Sequence, residues 1–494
     1  MKNGESFGLG NINYNERERS GRRAAGGNAP GPVAAEAEAP SDRVFTLQLS
    51  SGAAAVAPPQ GYATSEEGHY DPHHHRDLNA PTTNSETLIH LLKGSLGTGI
   101  LAMPNAFLNA GLVVGFFGTI LIGSLCTYCM HILIRTQYEM CRQLRVPVLS
   151  YPRTMEIALE NGPSFLRKAA PYSGLVVNIF LIVYQLGICC VYIVFVASNI
   201  KDVVDMYWKE VNVRFYMLMI LVPLILLNYI RNLKLLAPFS TLANIITFVG
   251  LGITLYYLFN NIPNPADRDM VGSIRTFPLF IGTTLFALEA VGVIIALENN
   301  MKRPFDFRGY TGVLNRGMSV IVFLYVFIGF VGYVKYGEGV KGSITLNLDE
   351  NQKLAQSVKI MFAIAIFITY ALQCYVPVEI IWGSYLSKKF EKSSPRKQIF
   401  YEYVLRTMIV LVTFLLAAAI PQLELFISLF GALCLSALGI SFPAFIEICL
   451  LWPKKAFGRF KWILWKDIIL LICGLFALII GTYTSLRDIV ASFL

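Results

Sequence analysis

The chain has 494 residues, 54% of them hydrophobic and 15% charged, with a mean hydropathy of +0.53. Soluble domains carry about 25% charged residues, so the composition predicts an all-α polytopic membrane protein surrounded by membrane lipid. The formal net charge of +9 is spread over short loops rather than gathered on a soluble module, and no nucleic-acid partner is expected.

Residues 1–82 are rich in Ala, Gly, Pro, Ser and charge, with almost no aliphatic clusters. Such a segment buries too little apolar surface to offset its chain entropy, and it reads as a disordered tail. No apolar run follows a basic start, so no signal peptide is expected. His73, His74 and His75 form either a solvated polar tract or a weak metal ligand set, and no metal centre is assigned.

Residues 83–494 read as one membrane domain. Apolar runs of about 20 residues can cross a bilayer, and eleven such runs are found: roughly 86–108, 111–134, 172–199, 215–230, 237–259, 277–297, 313–334, 355–381, 401–420, 424–451 and 464–486. The intervening loops alternate in basic content, with 22 Lys and Arg on one side and 10 on the other. Short basic loops stay cytoplasmic, so the N-terminal tail is expected in the cytoplasm and the C-terminus outside or in a lumen. The nine cysteines lie almost all in apolar runs, as packing residues do.

The first span is broken by glycine. The run Gly94-Ser95-Leu96-Gly97-Thr98-Gly99 follows His90 and Lys93 and precedes Pro104. Glycine costs about 1 kcal/mol per residue in a helix relative to alanine. An opened backbone survives at membrane depth only where it lines a cavity or is covered by protein. The sixth span, Phe277 to Glu298, holds Gly282, Gly292 and an intramembrane Glu289. The second segment comes five spans after the first, and five is odd, so the sixth span enters from the opposite side. This predicts an inverted five-plus-five repeat, about 86–259 and 277–451, with one extra span at 464–486. Interrupted helices at matching positions of inverted halves point to a transport site near the midplane.

Two such breaks would suit a zwitterion. Amides at a half-helix start attract a carboxylate, and carbonyls at a half-helix end suit an ammonium. Gly94, Ser95, Gly97, Thr98 and Gly99 are therefore assigned to the carboxylate end. Phe286, Ala287, Leu288 and Glu289 are assigned to the amine end. Close helix packing by small residues is the competing account of the glycines. His90, one turn before Gly94, is either a proton carrier, with an ordinary pKa near 6.5, or a neutral interface residue. Glu289 fits three roles: protonatable carboxylate, ammonium partner or structural partner of Lys93. Glu298, Lys302 and Arg303 are read as interfacial charges that fix a helix end, and His131 as a headgroup contact. No nucleotide-binding loop and no catalytic pair is present, so neither an ATP-driven pump nor an enzyme is expected.

The stretch from His90 to Pro104, the following Asn109-Ala-Gly-Leu112 and Cys129-Met-His-Ile-Leu133 resemble the proton-coupled amino acid transporters of the amino acid/auxin permease group. Gln185 to Tyr192, Leu288 to Gly292, Leu297 to Met301 and Leu423 to Ser428 are similar to later motifs of that family in the same order, with a likeness to its insect branch. The resemblance covers about 85–490. It implies an eleven-span inverted-repeat fold of the amino acid–polyamine–organocation (LeuT-like) type. It also implies symport of protons with small neutral amino acids such as glycine, alanine and proline. The proton would be the coupling ion, with no other cofactor. Such transporters work at the plasma membrane or on endosomes and lysosomes, and some feed the TOR growth pathway. The tail is then a place for cytoplasmic signalling partners. The family's proton-coupling histidine falls on His90. A sensor that binds amino acids and moves few of them is the alternative. Ala290, where relatives often carry glycine, leaves the register of the second break open.

Overall fold

A computed structural model describes residues 70–76, 81–231, 233–288 and 291–493. All of them fall in one compact unit. The regular elements of the described residues are all helices, joined by loops, with one isolated bridge between Thr82 and Met301.

The helices are α1 Asn84–Ser95, α2 Thr98–Ala110, α3 Leu112–Leu144, α4 Tyr151–Asn161, α5 Ala170–Val204, α6 Val213–Asn228, α7 Leu233–Phe259 and α8 Phe277–Ala287. They continue as α9 Val291–Asn299, α10 Val313–Tyr336, α11 Lys353–Glu379, α12 Ser387–Phe390, α13 Pro395–Ala419, α14 Leu423–Phe430, α15 Phe442–Leu451 and α16 Trp462–Ala491. A π-helical stretch, Ile380–Leu386, joins α11 to α12, and another, Gly431–Ser441, joins α14 to α15. Eight continuous helical segments are long and apolar enough to cross a membrane. Three of the expected spans take another form. The first is the broken pair α1–α2, the sixth the broken pair α8–α9, and the fourth the short apolar helix α6.

Packing repeats with an offset of five spans. In the centre α2 lies against α8 and α10, and α3 against α10 and α8. Beside this core α5 packs on α11, and α6 on α13. The fifth expected span, α7, lies on α11 of the eighth. The tenth, α14 with its π-helical stretch, likewise lies on α5 of the third. Exchanging each span with the one five later maps these pairs onto one another, as two halves of opposite entry require. The π-helical stretch Gly431–Ser441 also packs against α8 and α16.

The loops sort into two ends. At one, Arg76 reaches Pro147 and Glu298, and Arg135 and Lys466 share Glu447. These loops belong to the basic set. At the other end, Gly111 turns the chain between α2 and α3 at φ 81°, where a side chain is strained. The amides of Leu112 and Val113 there donate to the Asp269 and Met270 carbonyls. Lys359, wholly buried, pairs with Asp202 at 2.9 Å at that same end.

The expected disordered tail is corrected in part. Residues 1–69 and 77–80 lie outside the described residues, but 70–76 and 81–82 carry structure. Asp71 caps a short 3-10 turn, Pro72–His75, and Thr82 pairs its backbone with Asn300 and Lys302. Local composition allows no core here. The segment instead borrows one from α3 and the α9–α10 connection.

Candidate functional site

The first break falls at two residues. α1 ends at Ser95. Leu96 (φ −83°, ψ 77°) and Gly97 (φ −126°, ψ −148°) leave the helical region, and α2 restarts at Thr98. The Ser95 hydroxyl donates back to the Leu91 carbonyl at 3.0 Å, and the Tyr325 hydroxyl of α10 donates to the Ser95 carbonyl. The Gly97 amide donates to the same carbonyl at 3.1 Å. The carbonyl end of α1 is thus satisfied by protein. The start of α2 is not, since Gly97 is its N-cap and supplies no side-chain acceptor. The first amides of a helix have no partner within it, and here they begin at buried Thr98 and Gly99.

The second break faces the first. α8 ends at Ala287, and the Leu288 amide donates to the Thr284 carbonyl at 2.9 Å. α9 resumes at Val291. The two ends touch through backbone: a Cβ built on Gly99 would lie 2.6 Å from the Ala287 Cα. The amide end of α2 therefore meets the carbonyl end of α8 with nothing larger than the Ala287 methyl beside the contact. Positive and negative poles of two helix dipoles lie together.

α5 closes one side. The Tyr192 hydroxyl lies 3.8 Å from where a Cβ on Gly97 would sit, and Tyr192 reaches Gln373 of α11. The Tyr184 ring centroid is 6.2 Å from that of Phe286. Among the described residues, the Gln185 side-chain oxygen and the Thr284 hydroxyl are buried without a hydrogen-bond partner.

The residues expected from the sequence divide accordingly. Ser95, Gly97, Thr98, Gly99, Phe286, Ala287 and Leu288 lie at the two breaks. Gly94 does not: it stands exposed on the last turn of α1. Its freedom from a side chain is not what opens the helix, because the Tyr325 anchor falls one residue later. His90 is half-buried on α1, with Glu86 and Lys93 as its charged neighbours. It lies six residues, about 9 Å along the axis, before Leu96. Glu289 lies outside the described residues. Tyr192, Gln185 and Tyr325 were not assigned to the site from sequence. Polar atoms within the apolar runs of α5 and α10 are the signal that marks them.

The basic end holds a second constellation. Arg76 pairs with Glu298 of α9 at 3.0 Å, the two side chains only 4% and 3% exposed. Arg76 also donates to the Glu298 carbonyl at 3.2 Å and to the Pro147 carbonyl at 3.3 Å. The His73 ring stacks on Tyr138 and meets Phe305 edge-on, both at 4.7 Å. Glu298 is thus more than an interfacial charge. It ties the N-terminal segment to α9, the second half of the sixth span.

Burial pushes the His73 imidazole down to about 4, with Arg76 adding to the effect. Glu298, 3.8 Å from its Nδ1, is already neutralised by Arg76. The undocked segment binds a proton near pH 6.5 and the docked one near 4. Docking is therefore complete above about pH 6.5 and weakens by up to about 1.4 kcal/mol per unit as pH falls through that window. Proteolysis of the 70–82 segment should rise between pH 6.5 and 4.5 in the wild type. It should stay flat in His73→Phe.

The transmembrane amino acid transporter protein family matches residues 80–487. The chain belongs to that family. The relatives include the proton-coupled amino acid transporter-like protein pathetic of Drosophila melanogaster, 41% identical over 426 residues, covering 86% of this chain and 89% of that one. A probable amino acid transporter of Caenorhabditis elegans, skat-1, is 26% identical over 83% of this chain and 91% of that one. Similar solved structures include the inward-facing conformation of Mhp1 (11% identical, 84% of this chain and 94% of that chain, TM-score 0.45). Another is MhsT in complex with L-phenylalanine (14% identical, 81% and 99%, TM-score 0.41). The protein is an amino acid transporter family member and not an enzyme.

Proposed function

We propose that the protein is a proton-driven symporter of small neutral amino acids of the glycine, alanine and proline type. One observation carries the reading: the uncapped amide start of α2 lies against the carbonyl end of α8 at Gly99 and Ala287. Bare main-chain poles bind a carboxylate and an ammonium together without a charged side chain. The surrounding groups, Ser95, Thr98, Tyr192 and Phe286, are uncharged, which suits a substrate with no side-chain charge. The identity to a relative named as proton-coupled supports the proton as coupling ion.

The basic end is taken as cytoplasmic and the C-terminus as extracellular or lumenal. The eight long helices, α6 and the two broken pairs then make eleven crossings. Plasma and endolysosomal membranes both fit, as does a link to TOR signalling. One proton supplies about 1.4 kcal/mol per pH unit and about 2.3 kcal/mol per 100 mV, enough to concentrate a neutral zwitterion about tenfold for each pH unit and about fiftyfold for each 100 mV. His90 is assigned as the proton carrier and Glu289 as its partner. In proteoliposomes, alanine uptake should rise on outside acidification and be indifferent to sodium. His90→Ala should remove the pH response while leaving exchange of bound substrate. Sodium-driven uptake would overturn the coupling.

A second reading is a sensor with little net flux. The tie between the N-terminal chain and α9 through Arg76 and Glu298 favours it, because substrate-driven movement of α9 would be felt by the tail. A variant that binds but does not carry substrate, scored for growth signalling, separates the two.

A further inference from the structure

A crevice of about 870 Å3 lies between α3 and α10, and none of the residues at the two breaks lines it. Its wall runs from Phe116 to His131 on one helix and from Asn315 to Phe330 on the other. Fifteen residues of helix make about 22 Å, longer than one leaflet's half of an approximately 30 Å hydrocarbon core. The wall is apolar for most of that length, and several of its large side chains, such as Phe323 at 65%, face outward.

The crevice has a polar end. His131 and Asn315 hydrogen-bond across it at 2.8 Å. His131 lies 19 residues, about 29 Å, along α3 from Leu112, which puts it at the bilayer surface. Tyr128 and fully exposed Tyr310 stand at the same level, where interfacial aromatics gather.

A second hollow of about 430 Å3 continues from that end, sharing Tyr128, His131 and Gly309 with the first and adding Arg135 and Arg308. The charges there are unequal. Glu447 is divided between Arg135 and Lys466, and Asp467 is held by Lys466 at 2.8 Å. Arg308 lies 4.5 Å over the Tyr138 ring, and no carboxylate of the described residues comes within 4.0 Å of its nitrogens. The Arg135 side chain is 60% exposed, which leaves donors facing the hollow. An apolar trough as long as an acyl chain thus ends in two guanidinium groups at headgroup level.

We propose that this crevice is a binding site for an anionic phospholipid of the cytoplasmic leaflet, one acyl chain between α3 and α10 and its phosphate on Arg308 and Arg135. Guanidinium groups pair with phosphate in a planar fork, and basic pockets between helices on the cytoplasmic side take anionic headgroups. The choice of leaflet rests on the orientation proposed above. The same Arg308 also contacts His73 of the docked N-terminal segment and Tyr138 of α3, on which His73 stacks, so the headgroup would sit beside that segment.

The test uses the full chain in lipid nanodiscs of phosphatidylcholine, with or without phosphatidylinositol phosphate, read by native mass spectrometry and thermal midpoint. The wild type should retain phosphatidylinositol phosphate in preference to phosphatidylcholine and melt higher with it. Arg308→Gln should lower that preference about fivefold, the worth of one surface cation near an anionic headgroup. Ser319→Trp fills the apolar trough and spares both arginines. It should lose the lipid while still binding soluble inositol phosphate weakly. Monodisperse elution shows that each variant is folded. Equal retention of the two lipids, unchanged retention in both variants, or occupation by a sterol or a second copy of the chain would overturn the proposal. Labelling of Lys302→Cys by an impermeant reagent in intact cells reads the orientation separately, since nanodiscs present both faces alike.

Discussion

Gly99→Val is expected to abolish amino acid uptake in a protein that still folds. A single Cβ at position 99 would sit 2.6 Å from the Ala287 Cα, where ordinary contacts begin at 3.4 Å. Backbone is met on the far side, so no side chain can swing away. α2 and α8 must part by about 1 Å, and overpacking of this kind costs roughly 1–3 kcal/mol. A large membrane domain absorbs that cost, but a site built from two apposed backbones does not. Displacement of about 1 Å at a reacting or binding centre can reduce rates a hundredfold. Gly99→Ala should fall between valine and wild type. Gly292→Ala serves as the control, because a Cβ there has nothing within 4 Å. Uptake in proteoliposomes, normalised to monodisperse protein, checks the series. Wild-type uptake in Gly99→Val would remove the paired helix ends from the mechanism.

Breaking the Arg76–Glu298 pair is expected to open the basic end. Removing one partner of a buried ion pair costs about 3–5 kcal/mol, because the other charge is left in a low-dielectric site. The chain can escape that cost by undocking residues 70–76. Arg76→Ala and Glu298→Gln should therefore each speed amide hydrogen exchange across 294–302 by about a hundredfold or more. The two substitutions together should be less damaging than the sum of each alone. The exchanged pair, Arg76→Glu with Glu298→Arg, should recover part of the protection. Exchange unchanged in either single variant would reduce the contact to a surface accident.

Much of this was legible in the sequence because the membrane imposes its own grammar. Long apolar runs must be helices, since only internal hydrogen bonding satisfies a backbone in lipid. Glycines clustered within one run must weaken that helix wherever it lies. The broken character of the first and sixth spans and the transporter class therefore followed from residue order. Tyr192, Gln185 and Tyr325 were less legible. One polar group in an apolar helix reads the same whether it faces a site or a neighbouring helix.

Residue order alone determined the apolar spans, the glycine-weakened segment and the alternation of basic loops, all consequences of local composition in a bilayer. Tertiary structure decided the rest. It placed the opening at Leu96 and Gly97 rather than at Gly94, because a hydroxyl on α10 holds the Ser95 carbonyl. It also drew Arg76 out of a tail with no core of its own, because Glu298, 222 residues away, offered a buried charge to neutralise. Pairings across such distances depend on which faces meet, and no local pattern encodes that.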